Sequence, residues 1–124
     1  MWRYWWYADP KGPDPWREWY DSQNAHVRGK HDTVFRILES RADWRVPHAK
    51  KLDSGIVEII LKGGLQHRLL GFCWPGARFE FVFVIPCTHK GVVYTPKNAL
   101  ETARQRKTEL IGGSTWIKSC VRPH

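Results

Sequence analysis

The sequence predicts an α+β fold: an N-terminal strand, a helical hairpin, a three- to four-stranded antiparallel sheet and a C-terminal helix. Three observations predict this class. Apolar residues recur at helical spacing towards both ends of the chain, they alternate in strand fashion through its middle, and 124 residues suit a single domain. Because the strands follow one another rather than alternating with helices, we expect the helices to pack on one face of a twisted sheet.

The first twenty residues are rich in tryptophan and predict a strand followed by a helix. Residues 2–8 suit a strand, and the segment 9–13 ends it with two prolines and a glycine. Asp14 followed by Pro15 has the pattern of a helix N-cap with proline at the first helical position, and the helix runs to about residue 22. Five tryptophans in this region predict an aromatic wall or a partner-binding surface: Trp2, Trp5, Trp6, Trp16 and Trp19.

A second helix is predicted over residues 23–41, where Val34, Phe35 and Leu38 form an apolar stripe. Pro47 prevents its continuation. Two helices so close in sequence predict a helical hairpin lying on the sheet.

Three strands are predicted next, over residues 55–62, 65–74 and 78–85. Gly63-Gly64 and Pro75-Gly76 separate them as turn signals. The third strand alternates most clearly and places Phe79, Phe81, Phe83 and Ile85 on one face. A short extended segment follows at 89–94.

Thr95-Pro96 opens a helix that reaches about residue 110 and ends at Gly112-Gly113. Residues 116–121 are predicted to be either an extra edge strand or an ordered tail. The chain therefore divides into a domain over residues 1–111 and a C-terminal segment over residues 112–124.

The net charge of +8 is concentrated near the C-terminus, because residues 87–124 carry seven Lys or Arg against two Asp or Glu. Such a distribution is typical of a solvated basic face or of a surface that binds a polyanion. His and Tyr in the neighbouring turns favour nucleic acid.

Cysteine spacing and hydropathy bear on compartment and chemistry. Cys73, Cys87 and Cys120 form neither a CxxC pair nor a secreted disulfide pattern, and Cys73 and Cys87 are predicted to be buried. No apolar targeting or membrane segment is apparent, which predicts a cytoplasmic protein without a membrane partner. The chain also lacks metal-ligand spacing, a phosphate loop and a nucleophile elbow, so no metal or cofactor is expected.

Four segments carry a family resemblance through their order: residues 50–60 (KKLDSGIVEII), 67–70 (HRLL), 79–85 (FEFVFVI) and 89–96 (HKGVVYTP). In this order they give a Lys-rich turn, an acidic strand, a strand beginning with Arg, an apolar strand and a basic turn that ends in Thr-Pro before a helix. This succession resembles the RelE/ParE toxin superfamily, most closely its HigB-like, phage-derived branch. The resemblance covers about residues 2–111. Two cations of the pattern are replaced, by Ile60 and Gly91.

The resemblance implies the toxin half of a bacterial type II toxin–antitoxin pair. RelE- and HigB-type members are mRNA interferases, metal-independent endoribonucleases that cleave mRNA on the ribosome and inhibit translation. The implied partners are a cognate antitoxin protein, the ribosome and mRNA. ParE-type members inhibit DNA gyrase instead. A gyrase inhibitor and a catalytically degenerate binding protein of the same fold therefore stay open as alternatives.

Four residues are predicted to be catalytic. Arg68 is the candidate phosphate clamp, because a guanidinium can hold two oxygens at once. A structural Arg paired with Glu58 or Glu80 is the alternative, since strict alternation places Arg68 on the apolar face of its strand. His89 is the candidate acid or base and Lys90 the charge stabiliser, against an ordinary solvated turn. Tyr94 is expected to stack on a base or donate a proton, or else to pack before the helix.

Six further residues are predicted to contact RNA: Lys50, Lys51, His67, Lys97, Arg104 and Arg106. Glu58 is interpreted as structural, orienting a neighbouring Arg.

Overall fold

The computed structural model describes residues 2–63, 66–91 and 93–119. Its helices are α1 (Pro15–Ser22), α2 (Ala25–Glu39) and α3 (Ala99–Ile111). Its strands are β1 (Arg3–Tyr7), β2 (Ala49–Lys51), β3 (Val57–Leu61), β4 (His67–Cys73), β5 (Glu80–Lys90), β6 (Val93–Thr95) and β7 (Ile117–Ser119). Gly64 of the predicted glycine turn, Leu65 at the predicted strand start, Val92, Cys120 and Val121 lie outside the described residues.

The strands form one mixed sheet in the order β2-β3-β4-β5-β1-β7, and β6 also pairs with β5. The α+β class is thus confirmed, but the prediction of three or four antiparallel strands was wrong. The described residues contain seven strands, and β1 runs parallel to β5. Three of them, β2, β6 and β7, have three residues each, which is too short to give a clear alternation. The segment at 89–94 is the β5–β6 hairpin, and β7 is the predicted edge strand.

The helices cover both faces of the sheet, so the prediction that they share one face was also wrong. On the first face, called the α1/α2 face, aromatic rings from helices and strands form one cluster that includes Tyr4, Trp6, Trp16, Phe35, Phe81 and Phe83. The second face is called the α3 face. Its apolar cluster includes Leu70, Phe72, Val82, Val84, Ala103 and Leu110. The physical reason is that every residue of β3, and all of β4 up to Phe72, is buried, and such strands need cover on both sides.

The tryptophans of the N-terminal region belong largely to this core rather than to an exposed wall. Trp6 and Trp16 are buried, and Trp2, Trp5 and Trp19 are partly buried and packed against the two clusters. Asp14 caps α1 by accepting hydrogen bonds from the amides of Trp16 and Arg17, as its sequence position predicts. Most of the aromatic stretch therefore builds the α1/α2 face, whereas Trp5 and Tyr7 pack against the α3 face.

A β-bulge in β5 determines which side chains reach the α3 face. The β4–β5 register shifts at Leu70 and Gly71, so that Val84 is the extra residue. Gly71 is required here because a Cβ would lie 2.3 Å from the carbonyl oxygen of Val82. As a result Ile85 joins the α3 face, not the face of Phe81 and Phe83 as strict alternation predicted.

Candidate functional site

The α3 face contains a buried ion pair at the end of the sheet that carries the β5–β6 hairpin. Arg68 and Glu58 have side chains that are 10% and 7% exposed, and the Nε of Arg68 lies 3.5 Å from Oε1 of Glu58. Nη1 of Arg68 donates to the carbonyl oxygen of His67 at 2.9 Å, and Nη2 to Oε1 of Gln66 at 3.4 Å. Arg68 is therefore held inside the protein, paired with Glu58.

Tyr94 and His89 extend this pair towards solvent. The Tyr94 hydroxyl donates to Oε2 of Glu58. Burial and this hydrogen bond to Glu58 raise the pKa of Tyr94, so the phenol stays protonated at neutral pH. His89 is the partner of Tyr94 in the β5–β6 hairpin, and their ring centroids lie 4.7 Å apart. The four side chains form a continuous series: Arg68, Glu58, Tyr94 and His89.

Cys87 lies directly opposite Arg68 in the β4–β5 pairing. Burial, and then the nearby Glu58 carboxylate, raise the pKa of the Cys87 thiol from its usual 9.0 to about 12. A thiol with such a pKa is neutral at physiological pH and is a poor nucleophile. Cys87 is therefore part of the packing around the ion pair, and its predicted burial is confirmed. The same prediction for Cys73 was wrong, because Cys73 is exposed at the end of β4.

Two of the predicted RNA-binding lysines lie near this group and are free to meet solvent. Lys50 is exposed and is the β2 partner of Glu58, so alternation places it on the α3 face. Lys97 is exposed in the loop between β6 and α3. Lys50 therefore supplies positive charge beside Glu58, and Lys97 supplies it in the loop that follows the strand of Tyr94.

Lys90 and His67 lie on the opposite face from Arg68. His67 pairs with Thr88, and both alternate onto the α1/α2 face, where the His67 ring contacts that of Trp19 at 6.1 Å. Lys90, two residues beyond Thr88, shares that side of β5 and is exposed. The structure thus brings Arg68, His89 and Tyr94 together and separates Lys90 from them.

A second group of cations occupies the α1/α2 side near His67. Burial, and then the charge of Arg68, lower the pKa of His67, which keeps its imidazole neutral at pH 7. His67 lines a small recess with three other basic side chains: His26, Lys30 and Lys62. Lys51 is on this face too, but its Nζ is 3.1 Å from Asp43 Oδ1.

The basic residues of α3 mostly hold the helix on the sheet. Arg106 donates through Nη1 to the carbonyl oxygen of Val84 at 2.6 Å, which satisfies the acceptor freed by the bulge, and its guanidinium lies 4.6 Å from the ring centroid of Tyr7. Within the described residues, the buried Nε groups of Arg104 and Arg68 make no hydrogen bond. Such buried donors without acceptors are rare.

Sequence reasoning missed Gln66 and Cys87 as neighbours of Arg68. The position of Cys87 depends on the β5 bulge, which alternation alone does not reveal. Gln66 lies just before β4. Its side-chain oxygen accepts a hydrogen bond from Arg68, and its side-chain nitrogen donates to the carbonyl oxygen of Gly63. The predicted pairing of Glu58 with a neighbouring Arg is the arrangement that the structure shows.

Neither protein-family models, curated proteins nor solved structures give a match to this chain. The toxin resemblance therefore stays a prediction from the quoted segments. Within the described ranges, no helix is long and apolar enough to cross a membrane. The same residues contain no group of three or more His, Cys, Asp or Glu side chains placed to hold a metal ion.

Proposed function

We propose that the protein is the toxin of a bacterial type II toxin–antitoxin pair and acts as a metal-independent endoribonuclease on ribosome-bound mRNA. One observation supports this most: His89, Tyr94, Glu58 and Arg68 form one contacting series at a rim that also carries Lys50 and Lys97. The proposal includes a cognate antitoxin and the ribosome as partners in the cytoplasm.

The proposed reaction uses the 2′-hydroxyl of the RNA as its nucleophile. This oxygen attacks the adjacent phosphorus, the 5′-oxygen of the next nucleotide leaves, and a 2′,3′-cyclic phosphate is formed. One group must accept the 2′ proton and one must supply a proton to the leaving oxygen, and each role contributes about 10²–10⁴-fold. Cations stabilise the charge that develops on the phosphoryl oxygens.

His89 is the proposed proton-transfer residue, because it is the partly exposed imidazole of the series. Tyr94 orients His89 through ring contact and remains a hydrogen-bond donor, since its raised pKa opposes loss of the phenolic proton. Arg68 contributes its charge from within the sheet, and Lys50 and Lys97 contact the RNA backbone.

Mapping mRNA 5′ ends in a translation extract tests the proposal. The wild-type chain should produce new 5′ ends within translated mRNA, and His89→Gln should reduce their yield by about 10²-fold or more. His26→Gln is the matched control, because His26 is an exposed imidazole on α2. Cleavage maps that are unchanged by His89→Gln, or a wild-type chain that makes no cuts, would contradict the proposed chemistry.

A binding role without nuclease chemistry, including ParE-like inhibition of gyrase, is the second candidate. Two observations favour it: the guanidinium of Arg68 is already occupied by Glu58, Gln66 and the His67 carbonyl, and Lys90 lies on the other face of the sheet. A supercoiling assay distinguishes the candidates. Gyrase that is inhibited by both wild type and His89→Gln, with no mRNA cleavage, supports the binding role, whereas full gyrase activity at saturating protein excludes gyrase as the target.

A further inference from the structure

A cavity of about 410 Å³ lies on the α3 face at the opposite end of β5 from the candidate site. Its walls come from β1, β5, β7, the C-terminal end of α3, the loop 113–115 and the residue that follows β4, and they include Trp5, Trp74, Val82, Leu110 and Ile117. A volume of this size falls in the range of small-molecule sites. The cavity is thus large enough for a ligand and is built mainly from apolar side chains.

Glu80 provides the charged group of this lining. It is half-buried, and its Oε1 accepts a hydrogen bond from the indole nitrogen of Trp5 at 3.2 Å. A backbone hydrogen bond also joins Trp74, on the opposite wall of the cavity, to Glu80: the amide of Trp74 donates to the carbonyl oxygen of Glu80 at 2.9 Å. Trp5 and Trp74 therefore flank Glu80 from the two strands that neighbour β5, and the Trp5 indole is hydrogen-bonded to its carboxylate.

This combination has a specific chemical preference. The face of an indole ring attracts a cation, and Trp does so more strongly than Tyr or Phe. A carboxylate in a largely apolar wall adds to the attraction and disfavours anions. Arg3 is the partner of Glu80 in the β1–β5 register, but it is exposed and, in the part of the chain that the structure describes, forms no ion pair with it.

We propose that this cavity binds an alkylated ammonium ion, with Trp5 and Trp74 facing its methyl groups and Glu80 balancing its charge. The same head group occurs in free quaternary amines and at the end of a methylated lysine side chain. The site is independent of the proposed nuclease, because Glu80 and Lys90 are the first and last residues of the eleven-residue strand β5.

Ligand-observed NMR on the full chain tests the proposal with choline and with 3,3-dimethylbutan-1-ol, a neutral molecule of the same shape. Choline should bind at least about tenfold more tightly than the alcohol. Equal affinities would contradict the proposal, because they would show an apolar recess without cation selectivity. The proposal would also be overturned if neither choline nor a trimethyl-lysine peptide binds. Tighter binding of the peptide than of choline would support the site and identify a protein side chain as the ligand.

Two variants locate the binding. Glu80→Gln keeps the shape of the wall and should reduce choline affinity about tenfold, whereas the matched control Glu101→Gln removes an exposed carboxylate of α3 outside the cavity and should leave it unchanged. Trp74→Leu should abolish binding. If Trp74→Leu fails to fold, the Glu80→Gln result decides. Equal affinity in Glu80→Gln and wild type would contradict the proposal, and neither variant should alter RNA cleavage.

Discussion

The two faces of the sheet are held together by different interactions. On the α1/α2 face, aromatic rings contact one another in a cluster centred on Phe83, and the buried His31 accepts a hydrogen bond from Trp16 through Nε2 and contacts Asp32 through Nδ1. On the α3 face, the apolar packing is interrupted at one end by a carboxylate, a guanidinium and a phenol. The first arrangement stabilises the fold mainly through packed rings, whereas the second also holds an ion pair inside the fold, which is typical of functional sites.

The largest expected effect lies in the aromatic cluster. Phe83 is 0% exposed and its ring contacts five others, including Trp16 at 4.8 Å and Phe81 at 5.0 Å. Phe83→Ala should lower the free energy of unfolding by about 3–5 kcal/mol because it leaves a cavity. Urea unfolding measures the loss. Trp116→Ala, at an exposed position, is the control and should change stability by less than about 1 kcal/mol.

The loss of stability from a substitution in the Arg68–Glu58 ion pair should be partly reversed by a second substitution, which is not expected in the aromatic cluster. Arg68→Met leaves the Glu58 carboxylate buried without its cation and should cost about 3–5 kcal/mol of unfolding free energy. Adding Glu58→Gln should restore much of this loss, since the amide is neutral and still accepts from Tyr94. A double-mutant cycle by urea unfolding checks the coupling. A double variant whose loss equals the sum of the single losses would refute a coupled buried pair.

Alkaline pH should weaken the α3 face selectively. Cys87 has a folded-state pKa of about 12 against its usual 9.0, and the pKa of Tyr94 is raised as well. Between about pH 9 and 12 the unfolded chain releases protons that the folded chain retains, so stability falls as pH rises, by up to about 1.4 kcal/mol per pH unit for each group. Unfolding midpoints across this range should fall less steeply in Cys87→Ala than in Cys73→Ala, because burial raises the pKa of the Cys73 thiol less than that of the Cys87 thiol. Identical slopes would contradict the assignment.

The smallest expected effect is a change in the pH dependence of stability that comes from His67 on the α1/α2 face and Arg68 on the α3 face. The pKa of His67 is lowered by burial and by Arg68, whose charge acts from the other side of β4. Below about pH 6.5 the unfolded chain protonates this imidazole before the folded chain does, so the His67 contribution to stability is lost as pH falls. His67→Gln should flatten the stability profile between pH 7 and 5. His26→Gln, at an exposed position on α2, is the control, and an equal flattening in both variants would count against the effect of Arg68 on His67.

The elements that the sequence predicted well are those with strong local signals. Asp14-Pro15 predicted the start of α1, and Phe81 and Phe83 predicted a buried face of β5. The sheet topology depends instead on pairing between distant segments, such as β1 with β5, for which alternation gives no signal. The run of β3, apolar except for Glu58, is typical of a strand covered on both sides, which agrees with a helix on each face of the sheet.

The candidate site was predictable by residue type more than by position. Arg68, His89 and Tyr94 meet as expected, whereas Lys90 faces away because neighbouring residues of a strand point to opposite sides. His89 reaches the α3 face only through the bulge at Val84, a feature set by the close approach of Gly71 to the next strand. Long-range packing of this kind cannot be derived from a local pattern.

The proposed function places RNA on the α3 side of the hairpin end rather than on the α1/α2 side. Amide chemical shifts of the labelled protein, titrated with a short RNA that carries 2′-deoxy nucleotides to prevent cleavage, test it directly. The account predicts that the largest shifts cluster at Lys50, His89, Tyr94 and Lys97. Shifts confined to His26, Lys30 and Lys62, the cations of the other face, would contradict it.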